Sequence, residues 1–66
     1  MDNETRAESA RNAVQIHASE KGAGNEPLCS QMADLVADLM HLCMHEEIDF
    51  NEIVETSSMH FEVEAC

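Results

Sequence analysis

The chain has 66 residues, with 14 acids against 3 bases and a formal charge of −11. That length allows one small domain, which buries only about 60% of its unfolded surface, so a disulfide, a metal or a partner chain is the usual supplement. The negative field repels nucleic acid and anionic membrane and attracts basic protein surfaces. Two Phe with no Trp or Tyr supply no stacking platform for bases.

Residues 1–24 form the first segment, polar and rich in small side chains. Ala7, Ala10, Ala13, Val14 and Ala18 fall at helical spacing, and alanine favours helix. Alanine buries little area, so the segment is expected to be a weakly docked helix or a mobile arm. Lys21-Gly22-Ala23-Gly24 closes it, because glycine stops a helix and leaves a hinge. All three bases, Arg6, Arg11 and Lys21, lie in this segment; from Gly22 onward there are ten acids and no Lys or Arg.

Residues 25–66 form the second unit, an acidic helical hairpin. Asn25 is the expected N-cap, with Glu26 and Pro27 in the first turn, where proline lacks only a hydrogen bond that would be unpaired anyway. Leu28, Met32, Leu35, Val36, Leu39, Leu42 and Cys43 step by threes and fours along one face. This predicts a helix from about 26 to 47. A turn follows at Ile48-Asp49. Asp49 and Glu52 are spaced as a capping box, and Ile48 and Ile53 as a hydrophobic staple. Phe50, Ile53, Val54, Ser57 and Phe61 then repeat at helical spacing, which predicts a second helix over 50–64. A connection this short favours an antiparallel hairpin. The fold class is therefore all-α, an antiparallel helical hairpin with a third N-terminal helix in reserve. Two amphipathic helices do not enclose a core, so the N-terminal helix, a second copy or a partner is expected to complete it, with a homodimeric helical bundle favoured.

Two groups of side chains carry possible chemistry. Asp34, Asp38, His41 and His45 lie on one stripe of the long helix, and His60 and Glu64 stand one turn apart on the next. Rise per residue brings Asp38, His41, His60 and Glu64 to similar heights in an antiparallel pair. With His45 they are the candidate ligands for a divalent transition metal. No H-E-x-x-H is present, and a solvated polar face explains the same residues, so no metal and no cofactor is assigned; a metal-binding helical module using His41, His45 and His60 stands as the alternative function, beside a purely structural dimerisation unit. The thiols offer no catalysis: Cys43 sits on the apolar stripe, Cys29 at the helix start without a nearby base, and Cys66 at the last position. No arrangement meets the geometry of an active site, so the chain is expected not to be an enzyme.

The second group is the cluster Glu46, Glu47, Asp49, Glu52 and Glu55. Capping at a positive helix end accounts for Asp49 and Glu52. Glu46 and Glu47 fall at a helix C-terminus, where negative charge is disfavoured, and such local conflicts gather at functional sites. These five carboxylates, with the exposed pair Met40 and Met44 as an adaptable contact, are the candidate surface for a protein partner with a basic face. The plainer alternative is a solvated turn, and for the methionines a dimer seam. Neither direct nucleic-acid binding nor a membrane span is expected, since no apolar run approaches about 20 residues. The start Met1-Asp2-Asn3-Glu4 lacks the features of a secretory signal. Three cysteines at no framework spacing suggest reduced thiols in a cytoplasm.

The run Asp34-Leu35-x-x-Asp38-Leu39-x-His41, then Asp49-Phe50, then His60-Phe61-x-x-Glu64, resembles short uncharacterised helical proteins of bacteria, plasmids and phages. The resemblance covers 34–64 and implies no residue roles. In size and acidity the chain is also similar in type to phage anti-defence proteins of the anti-CRISPR or anti-restriction kind. That likeness implies an inhibitor acting in a host cytoplasm.

Overall fold

The computed structural model describes residues 2–65, which form three helices: α1 (Asn3–Glu20), α2 (Leu28–His45) and α3 (Phe50–Ala65). The fold is all-α, and the N-terminal segment is a full helix. Cys66 lies outside the described residues. None of the described helices is long and apolar enough to cross a membrane.

Asp2 caps α1, its Oδ1 accepting from the Thr5 N–H at 2.7 Å. That hydrogen bond holds the Asp2 carboxyl below its ordinary range. The helix ends as the glycines require. Gly22 takes φ +72°, the Ala23 N–H donates to the Ala18 carbonyl at 2.8 Å, and the Gly22 N–H donates to Ser19 at 3.2 Å. This is a Schellman termination, with glycine at the left-handed position.

α2 starts later than the sequence suggests. Pro27 itself stands at the N-cap, with ψ 148° and no side-chain cap, and Asn25 and Glu26 remain in the loop. The reason is steric, since a residue preceding proline is pushed out of the helical region. The loop is held from inside α2 by Gln31, which is 6% exposed. Its Nε2 donates to the carbonyls of Ala23 and Gly24 at 3.3 Å and of Glu26 at 3.1 Å.

α2 also ends earlier, at His45, leaving a four-residue link, 46–49, to α3. Its end repeats the termination of α1: Ile48 N–H donates to Cys43 at 2.8 Å and Glu47 N–H to Met44 at 3.4 Å. Here the left-handed residue is Glu47, at φ 59°. Asp49 then starts α3 as expected, its Oδ1 accepting from the Asn51 N–H at 2.9 Å.

α2 packs more extensively on α1 than on α3. Val14 and Ala18 of α1, at 7% and 2% exposure, are the buried apolar side chains among the described residues. Polar ties complete the arrangement. Asp38 Oδ2 accepts from His17 Nε2 at 2.7 Å and from Lys21 Nζ at 2.9 Å, and Arg6 NH1 reaches Glu64 Oε2 at 2.7 Å. The start of α1 thus meets the end of α3, and the end of α1 meets the middle of α2. The three helices make a flat triangle, 35 × 32 × 16 Å. Its radius of gyration is 13.2 Å, against about 11 Å for a compact domain of this length.

Candidate functional site

The acidic turn is built by the two terminations that meet there. The Schellman motif closing α2 swings the chain out at Glu47, and Asp49 at once starts α3. Glu46, Glu47, Asp49, Glu52 and Glu55 are all exposed. Asp49 spends one oxygen on capping, and Glu52 lies in the first turn of α3, where the helix dipole favours it. Glu46 and Glu47 have no such support. Glu47 carries two local costs, a carboxylate at a helix C-terminus and a left-handed backbone that ordinarily selects glycine. The sequence exposes the first cost; the second appears only in the backbone, since a glutamate gives no signal for φ > 0.

Met40 and Met44 sit together on α2, lining a shallow concavity of about 380 Å³ with Ala37 and His41. Met44 is 73% exposed. A second, larger depression of about 590 Å³ runs between α2 and α3. Its walls are Val36 and Leu39 from α2 and Phe50, Ile53, Val54 and Phe61 from α3, with Ser57, Ser58 and Glu62 along the α3 side. The periodicity identifies most of these apolar residues, and they stand open along the groove, in keeping with the expectation that two amphipathic helices do not enclose a core.

The metal candidates do not converge. Asp38 turns toward α1, where Lys21 and His17 hydrogen-bond to it and hold its carboxyl below the usual range, while Asp38 raises Lys21. With the ring hydrogen on Nε2, His17 donates to Asp38, and its Nδ1 is buried without a partner. Glu64 pairs with Arg6. His60 lies beside Thr56, Met59, Val63 and Glu64 on α3, and His41 beside the methionines of α2. Among the described residues, no three His, Cys, Asp or Glu side chains gather as a metal site would need. The expected juxtaposition of Asp38, His41, His60 and Glu64 fails because the Asp34–Asp38 side of α2 is committed to α1, not to α3. His45 stands at the last turn of α2, outside any such group. The thiols of Cys29, exposed, and Cys43, half-buried, are free.

No protein family model, curated protein or solved structure matches the chain. What the surface does is therefore carried by its own residues.

Proposed function

We propose that this chain is a small protein-binding module that docks its acidic α2–α3 turn onto a basic surface of another protein. One observation carries the reading: ten carboxylates and no Lys or Arg occupy residues 22–66, and five of those carboxylates stand exposed around a single turn. Among the described residues of that stretch, Asp38 is paired with Lys21, just past α1, and Glu64 with Arg6, and five of the remaining eight carboxylates stand at the turn. The unfavourable placement of Glu46 and Glu47 adds support, because disfavoured and strained positions cluster at functional sites. Met40 and Met44 offer an adaptable apolar contact on the same helix.

A row of carboxylates on paired helix ends suits a groove that otherwise holds a phosphate backbone. The finer form of the proposal is therefore an inhibitor of the phage or mobile-element anti-defence type that occupies a nucleic-acid-binding site. The test is competition. Proteins retained from host lysate by the immobilised chain at low salt are challenged with duplex DNA and with RNA. The reading expects nucleic acid to displace the retained protein, since both address one basic surface. Retention indifferent to both would refute nucleic-acid mimicry.

A further inference from the structure

We propose that the groove between α2 and α3 is covered by the same groove of a second copy of this chain, related by a two-fold axis, so that two hairpins make one four-helix unit. The inference goes beyond the partner reading and does not rest on it.

The area argues first. A compact monomer of 7.3 kDa exposes about 4,200 Å², whereas this chain exposes 5407 Å². The excess is about 1,200 Å² per chain, or about 2,400 Å² for a pair, which falls in the range of obligate homodimers. Part of that exposed surface lines the groove. Val36, Leu39, Ile53, Val54 and Phe61 are all exposed along the groove, Phe61 at 70%, although they are the residues whose periodicity defines an interior face.

Charge placement then selects a second copy over a basic peptide. At 3.6 residues per turn, Phe50, Ile53, Val54, Ser57 and Phe61 share one side of α3. Glu52 and Glu55 fall on the opposite side, Glu62 lies at the groove's edge, and Glu64, on the groove's side, is paired with Arg6 at 2.7 Å. A basic helix lying in the groove would find few carboxylates along its flanks. A second copy would bury the apolar side against its own kind and leave Glu52 and Glu55 pointing outward. The groove is also self-complementary in kind: Phe61, prominent on one copy, is a projection that an open apolar depression on the other can receive, as an isologous interface requires.

The experiment is sedimentation equilibrium of the full chain across the micromolar range, with far-ultraviolet circular dichroism on the same samples. The proposal expects twice the single-chain mass, an unfolding midpoint that rises with chain concentration, and tighter association at high salt, which screens repulsion between two chains of −11 each. That salt response is opposite in sign to the one expected for docking on a basic partner, so each reading can fail without the other. Phe61→Glu should shift the mass toward one chain, whereas Val63→Glu, at an equally exposed site outside the groove, should leave two. A helical wild-type species of single-chain mass with a concentration-independent midpoint overturns the proposal. So does a two-chain mass that Phe61→Glu leaves intact. Wild-type concentration dependence decides the matter even where Phe61→Glu fails to fold.

Discussion

Replacing Glu47 by glycine should stabilise the fold, which is an unusual expectation for a change to glycine. The two helix ends of this chain make the comparison internal. α1 and α2 close with the same pair of hydrogen bonds, but the left-handed residue is Gly22 in one and Glu47 in the other. A residue with a Cβ pays about 1–2 kcal/mol in that conformation. Glycine removes this and returns roughly 0.5–1 kcal/mol through its freer unfolded chain. Removing a carboxylate from a helix C-terminus adds roughly 0.3–1 kcal/mol. The net gain for Glu47→Gly is therefore about 1 kcal/mol, a rise in Tm of roughly 4–8 °C for a domain this small. Glu47→Ala keeps the strain and loses only the charge, so it should gain a few tenths of a kcal/mol. Urea unfolding followed by circular dichroism at one fixed chain concentration separates the two. If Glu47→Gly is no more stable than Glu47→Ala, the left-handed backbone is not a stored cost and the inference drawn from it falls. If the turn binds a partner, Glu47→Gly should also weaken that binding while the fold gains.

Gly22→Ala is the mirror experiment: nothing crowds a Cβ there, so its cost should be that of φ +72° alone, about 1 kcal/mol in the same urea assay. Gln31→Ala should destabilise by about 0.5–1.5 kcal/mol, because it removes the donor that ties three loop carbonyls to α2, and amide exchange should quicken through residues 21–26. Asp38→Asn should loosen α1 and change the acid response. The Asp38 pKa is lowered in the fold, so its contribution is present above the unfolded value near 3.8 and lost as pH falls through the folded one. Wild type and Asp38→Asn should therefore differ most at neutral pH and converge in acid titrations below about pH 4. Equal differences at pH 3 and pH 7 would remove Asp38 from the account.

The parts of this fold that can be read from the sequence are those with local causes. The apolar steps from Leu28 to Cys43 mark α2, Asp49 marks the start of α3, and Gly22 marks the end of α1, each through contacts within a few residues. The packing of α1 on α2 is not local. Its apolar share is small, as the alanine stripe implies, and its polar share joins Asp38 to His17 and Lys21, 21 and 17 residues away. Periodicity identifies stripes but not which neighbour each stripe meets. α2 is apolar around much of its circumference, so the assignment of Asp38 to α3 rather than α1 had no sequence signal against it, and the metal candidates followed that assignment. At the start of α2 two local rules compete, since Pro27 can open a helix but also bars Glu26 from it. The acidic turn was legible as composition. Its backbone strain was not, because only the folded chain shows φ at Glu47.

The central claim is that the carboxylates of the α2–α3 turn carry the binding. Its most direct measurement is retention of host-lysate proteins by the wild-type chain and by the Glu46→Lys, Glu47→Lys double variant, across a salt series and with helix content matched by circular dichroism. The account predicts a protein held by wild type at low salt, released steeply as salt rises, and not held by the variant at any salt. Equal retention by the two chains, with the same salt profile, would contradict it.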